Sequence, residues 1–225
     1  MHPDLKNVWE HMRSLGLGAL AHANRHAAYA AMENASWPDL SVLQAAHAAE
    51  LLIKARIAQE HPLLIFEELP RSGQSLGARL NLPDLFKKGK TLQWVDLPER
   101  LWATTGITLP GKSIFESFGR LRNGIQHFGP PAGEDPSDET LKFIFQVIDP
   151  FINACWGLFA VDYDEDHEPY VYFVDALVRR EITFLVSPDA AEAFEDWDVD
   201  WNQVSKKYRE EMQRRVKKSK ISSKP

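Results

Sequence analysis

Apolar residues recur at three- and four-residue steps along most of the first 160 positions, so the pattern predicts helices. From Val42 to Glu60, the residues Val42, Leu43, Ala46, Ala49, Leu52, Ile53 and Ile57 form one stripe; Asp39 or Ser41 can cap it and Pro62 ends it. Before it, residues 15–34 are rich in Ala and Leu and free of proline, which predicts a first long helix stopping at the Ser36-Trp37-Pro38 break. A third helix opens near Lys112 or Ser113 and closes at Gly129-Pro130-Pro131. Its Asn123-Gly124 pair is also a hairpin dipeptide, but Ile114, Phe115, Phe118, Leu121, Ile125 and Phe128 make a single helical stripe with no strand alternation. Ser137 with Asp138 or Glu139 starts a fourth helix that runs to about Val161, kinked by Pro150.

The remaining segments are shorter. Residues 71–112 are rich in Gly and Pro and read as a connector with short helices, one around Pro98–Thr104. Past Asp162 a charged loop leads to Tyr170–Val174 and Ile182–Val186, which read as two short strands, and a last helix runs from about Trp201 into a basic tail. The expected fold is mainly α: an up-and-down bundle of four or five helices over residues 1–162, then a small C-terminal appendage over residues 163–225 with a short β-hairpin and a terminal helix.

Composition narrows the class. With 44% apolar and 11% aromatic residues, 225 positions suffice for a sizeable core. A single cysteine, Cys155, excludes an internal disulfide framework, and the first residues lack the basic and apolar regions of a signal peptide. The most apolar stretch, Phe143 to Val161, is interrupted by Gln146, Asp149-Pro150 and Asn153, as in a buried helix and unlike a membrane span. A reducing cytoplasm and no membrane role are the expectation. The net charge of −6 divides unevenly: residues 206–224 carry +7 and the rest about −13. A basic tail of this kind either contacts phosphates or is a solvated terminus. The acidic body excludes broad coating of nucleic acid, so an RNA substrate needs a local cleft.

Candidate chemistry sits near the end of the third helix, in Arg122-Asn123-Gly124-Ile125-Gln126-His127. Histidine trades a proton near neutral pH, and arginine holds the charge of a pentacovalent phosphate. Spacing alone is weak, because this composition yields about one Arg-x(4–6)-His match by chance. Indeed Arg56…His61 and Arg120…His127 match as well. At about 100° per residue, Asn123 and His127 lie one turn apart opposite the apolar stripe, with Arg120 and Glu116 close by. Arg122 falls roughly 140° from His127, so the two meet at one phosphate only if the helix end is distorted or a second copy brings its own helix across a two-fold axis. Gly124 would allow such an approach.

The fragment Leu121-Arg122-Asn123-Gly124-Ile125-Gln126-His127-Phe128 resembles the Arg-polar-x-x-x-His signature of the HEPN superfamily. The segment Ala48-Ala49-Glu50-Leu51-Leu52-Ile53-Lys54-Ala55 is similar to the Glu-bearing helix that many bacterial HEPN proteins carry upstream. The resemblance covers about residues 15–160. It implies an up-and-down bundle that dimerises with the two motif helices facing one cleft. For active members it implies metal-independent endoribonuclease activity in toxin-antitoxin, stress or phage-defence systems, with no cofactor and with RNA as substrate. In that reading His127 is general base or acid on the ribose 2′-hydroxyl or the leaving 5′-oxygen. Arg122 stabilises the phosphorane, and Asn123 orients a phosphate oxygen or the histidine. Arg120, Glu50 and Lys54 are supporting candidates, the last two as a helix-surface pair or as a prop for Arg122. The tyrosine that the toxin subgroup paired with a nucleotidyltransferase antitoxin carries two residues after the histidine is Gly129 here, which argues against that partner. Many HEPN proteins are non-catalytic, so a module that binds RNA, a nucleotide or a protein partner and uses the same residues to hold its dimer is the alternative.

Other clusters read as structural. His61 precedes Pro62 at a helix end; His22 and His26, and His47 and Glu50, have metal-ligand spacing but lack the carboxylates of a di-metal bundle. Cys155 reads as a small core residue. Trp197 and Trp201, among aspartates, suit a docking patch, and Gly73…Gly77 lacks the Lys-Ser/Thr of a phosphate loop.

Overall fold

A computed structural model of the chain describes residues 3–29, 34–71, 80–129, 133, 135–164, 171–196, 199 and 201–222. The protein is mainly α. Two long helices, α1 (Val8–Ala28) and α2 (Trp37–Glu60), are followed by strand β1 (Phe66–Glu68), α3 (Leu82–Lys88), β2 (Lys90–Thr91), α4 (Leu97–Thr105), α5 (Lys112–His127), α6 (Pro136–Phe143), α7 (Asp149–Trp156), α8 (Val171–Arg179), α9 (Pro188–Asp196) and α10 (Lys206–Ser222). The chain forms two compact units, residues 1–17 with 48–109, and residues 18–47 with 110–225.

α1 begins earlier than its composition predicts, because the Asn7 carbonyl accepts the first helical bonds from Glu10 and His11. The Ser36-Trp37-Pro38 segment opens α2 instead of breaking the chain. Pro38 lies in the first turn, where a missing N–H costs nothing, and Leu40 N–H already bonds the Ser36 carbonyl. The expected single fourth helix is α6 and α7 joined by one π turn, Ile144–Ile148. There Asp149 N–H reaches back five residues to the Ile144 carbonyl, just ahead of Pro150, which has no N–H of its own. Gly157, in the left-handed region at φ 68°, ends α7 and donates its N–H to Asn153.

In the first unit Leu52, Ile53, Ile57, Leu85, Leu97 and Leu101 are buried. Gly16 is required where α1 meets α2, because a β-carbon there would stand 2.9 Å from Leu52 Cγ. β1 and β2 pair antiparallel, Phe66 opposite Thr91. In the second unit Phe118 of α5 stacks on Phe143 of α6 at 3.9 Å between ring centroids, and Phe115 packs on the same ring. Ser41 and Thr140 share a buried hydrogen bond of 2.9 Å.

Past residue 162 the structure corrects the expected β-hairpin. Val171–Arg179 is helix α8, and Phe173, Val174, Leu177 and Val178 are its buried face. The β-branched and aromatic content of 170–174 suggests a strand, but that window is too short to show the four-residue recurrence completed at Leu177 and Val178. Residues 182–186 do alternate, with Ile182, Phe184 and Val186 buried, yet their backbone forms no ladder. Side chains satisfy it instead: Tyr208 Oη donates to the Ile182 carbonyl (2.9 Å), Arg215 Nη1 to the Phe184 carbonyl (2.8 Å), and Leu185 N–H to Asp149 Oδ2 (2.8 Å). Asp149 Oδ1 also accepts from Ala160 N–H at 2.8 Å, so one buried carboxylate ties the head of α7 to two loops. Burial pushes its pKa up to about 7, against the lowering by those two N–H groups and by Arg215. Burial likewise raises the Tyr208 phenol, keeping it a donor.

α10 starts where the basic composition predicts, and an acid organises that start. Glu181, at φ 51°, accepts from Ser205 N–H (2.6 Å) and Ser205 Oγ (2.8 Å), bonds that hold its carboxyl below the usual range. Ser205 Oγ in turn accepts from Tyr208 N–H as the N-cap. Ser205→Ala is expected to cost about 1 kcal/mol, read as an earlier urea midpoint with an unchanged slope. An unchanged midpoint would remove the cap's role. The residues Gly73, Gly77, Tyr170 and Trp197 lie outside the described residues. Trp201 stacks on Phe194 at 5.9 Å.

Candidate functional site

One face of α5 fixes the helix and the other carries the polar residues. Phe115, Phe118 and Leu121 are buried, whereas Glu116, Arg120, Asn123 and His127 are all exposed. Those four recur at steps of four, three and four, which aligns them along one flank of the helix. The helix keeps its register through His127. Its end comes one residue later, where Phe128 N–H and Gly129 N–H both converge on the Gly124 carbonyl at 2.8 and 2.9 Å, with Gly129 at φ 135°. Distortion of the backbone therefore does not bring Arg122 toward His127.

The Arg122 side chain reaches round instead. Its Nη1 donates to Asn123 Oδ1 at 3.2 Å, so the guanidinium leans toward the flank that Asn123 shares with His127. His127 makes no hydrogen bond to a described residue, and its ring has one aromatic neighbour, Phe128, at 6.3 Å and 64°. Phe128 is 96% exposed, the most exposed large apolar side chain among the described residues. The tip of α5 thus presents an imidazole, a guanidinium held by an amide, and a bare phenyl ring. Gly124 leaves its own flank open, since a β-carbon there would meet only the Gly129 carbonyl, at an ordinary 3.6 Å.

Glu50 and Lys54 form a separate pair in the first unit. Lys54 is only 5% exposed, and its ammonium binds Glu50 Oε1 at 2.6 Å and Thr91 Oγ1 at 3.4 Å. Two carried-over residues that read as surface chemistry are thus a buried ion pair bracing β2. Arg120 remains on the exposed flank of α5.

The rival matches are committed elsewhere. Arg56 pairs with Glu60 at 2.9 Å, and His61 Nδ1 accepts from Leu63 N–H as the cap of the following turn. His26 packs on Trp37 at 4.8 Å and His22 lies 6.2 Å from His26. Among the described residues no group of three or more His, Cys, Asp or Glu side chains is gathered as a metal would need. Cys155 is half-buried on α7. No helix among the described residues is long and apolar enough to cross a membrane. Compared with protein-family models, curated proteins and solved structures, the chain matches none.

Proposed function

We propose that this protein is a metal-independent endoribonuclease of HEPN type, acting in the cytoplasm as a homodimer, with Arg122, Asn123 and His127 as its working residues. The observation that carries the reading is the tip of α5, where an uncommitted imidazole and an Asn-held guanidinium are exposed within six residues. RNA follows from the chemistry, since a metal-free attack on the phosphate uses the neighbouring 2′-hydroxyl. The 2′-oxygen bonds to phosphorus as its proton passes to a base. The P–O5′ bond then breaks as the 5′-oxygen takes a proton from an acid. The products are a 2′,3′-cyclic phosphate and a 5′-hydroxyl, and His127 serves one or both transfers across the dimer. Toxin, stress or phage-defence biology, with a regulatory protein partner, is the setting such an activity requires.

Incubating wild-type and His127→Ala protein with total cellular RNA in EDTA tests this, with circular dichroism of both and analysis of product ends. Cleavage by the wild type alone, leaving 2′,3′-cyclic ends, supports it. Equal cleavage by both, or none by either with both folded, counts against it.

One observation favours a second reading. A phenyl ring as bare as Phe128 beside the polar triad suits a symmetric contact, so the alternative is a non-catalytic module that dimerises through the α5 tip and binds RNA, a nucleotide or a protein. Under either reading Phe128→Ser is expected to weaken the dimer in sedimentation, with folding stability changed by less than about 0.5 kcal/mol. An unaltered association constant would take Phe128 out of the interface.

A further inference from the structure

The second unit contains a cavity of about 490 Å³, within the size range of small-ligand sites. Its floor is apolar, from Phe159, Leu185, Val186 and Pro188. Its wall is one face of α10, where Glu211, Arg214, Arg215 and Lys218 follow the steps of three, one and three that align side chains on a helix. The opposite side of α10 buries Tyr208 and Met212. The basic segment is therefore more than a solvated tail: part of its charge lines a concave surface.

The cations are held in place. Glu211 accepts from Arg214 Nε (3.1 Å) and Nη2 and from Arg215 Nε (2.7 Å), and these bonds keep its carboxyl below the ordinary range. Arg215 is also fixed by the Phe184 carbonyl. Two guanidiniums share a single carboxylate, so with Lys218 the lining keeps an excess of two positive charges. A guanidinium fixed by one acid still has donors for another anion, and its ordering has already been achieved by folding.

We propose that this cavity binds a phosphomonoester carrying a planar base: a free nucleoside monophosphate or the 5′-phosphorylated end of an RNA. A phosphomonoester carries close to two negative charges at neutral pH and matches the excess on the wall, whereas a fatty carboxylate carries one. The Phe159 ring and the aliphatic floor suit the base. An internal phosphodiester, singly charged and flanked by chain on both sides, fits an enclosed pocket less well. Binding here is independent of cleavage at α5, and His127→Ala is expected to leave it unchanged.

The test is calorimetric titration of the full chain with each of the four nucleoside 5′-monophosphates. At least one is expected to bind saturably at one site per chain. The double variant Arg214→Ala, Lys218→Ala weakens it by about tenfold or more, the loss expected when charge-assisted hydrogen bonds are removed. Both positions are exposed on α10, so circular dichroism should match the wild type. Lys217→Ala removes an equal charge outside the lining and should leave the affinity within about twofold. A short oligoribonucleotide with a 5′-phosphate, compared with its 5′-hydroxyl form, separates the two sources. Displacement of the nucleotide by the phosphorylated form alone assigns the site to RNA ends as well, and no displacement assigns it to free nucleotides. The proposal is overturned if neither the monophosphates nor the phosphorylated oligomer binds, if inorganic phosphate or palmitate binds as tightly as the best nucleotide, or if Lys217→Ala weakens binding as much as the double variant.

Discussion

Asp149→Ala is expected to lower stability by about 3 kcal/mol near pH 5, because it strips two buried backbone N–H groups, those of Ala160 and Leu185, of their acceptor. The loss should shrink as pH rises. Burial raises the Asp149 pKa from 3.8 to about 7, so between those values the folded protein holds a proton that the unfolded chain has released. Stability from this group is then complete at low pH and is lost on going up through the window, the reverse of a salt-bridged aspartate. From pH 5 to pH 8 the decline amounts to about 3 kcal/mol, since each pKa unit is worth about 1.4 kcal/mol. Other carboxylates titrate below pH 5, so the measurement is the difference between wild-type and variant urea unfolding at several pH values. Parallel stability curves from pH 5 to pH 8 would mean that Asp149 stays ionised throughout and that the N–H groups and Arg215 outweigh burial.

The same residue shows where the sequence stops being legible. In the run Phe143 to Val161, Asp149-Pro150 reads as a polar interruption with a kink; the missing fact is that this carboxylate is fully buried and answers donors eleven and thirty-six residues away. Such partners leave no trace in local periodicity. α5 is the opposite case, because its buried and exposed faces are both written in steps of three and four within sixteen residues. Residues 171–186 fall between. Their apolar content is plain, but whether it forms helix or strand depends on Leu177 and Val178 and on who takes the backbone hydrogen bonds, and Tyr208, Arg215 and Asp149 take them. At the candidate site the residue types and their flank could be read from spacing. The reach of Arg122 to Asn123 could not, since angular position describes the start of a side chain, and a guanidinium ends several bonds away. Nor could spacing tell a surface pair at Glu50 and Lys54 from the buried one that braces Thr91.

His127→Ala is expected to lower RNA cleavage by a factor of about 10² to 10⁴, the range a positioned acid or base contributes, while changing folding stability by less than about 0.5 kcal/mol. The small structural effect follows from exposure and from an imidazole that bonds to no described residue. Arg122→Lys keeps the charge but loses the planar fork, so under the cleavage reading it should recover only part of what Arg122→Ala loses. The helix geometry adds a sharper test. Arg122 and His127 leave α5 roughly 140° apart, and the backbone stays helical between them, so one α5 presents them to one phosphate only through the long reach of the arginine. If the cleft instead takes Arg122 from one protomer and His127 from its partner, two inactive proteins should rescue each other. Mixing His127→Ala with Arg122→Ala under conditions that exchange subunits would create mixed dimers containing one complete arginine–histidine pair, and partial cleavage should return. No recovery from mixed dimers, with both single variants folded and exchange verified, would place the whole reaction within one protomer. Recovery would make dimerisation a chemical requirement, and a partner that separates the protomers would then switch the activity off without touching His127.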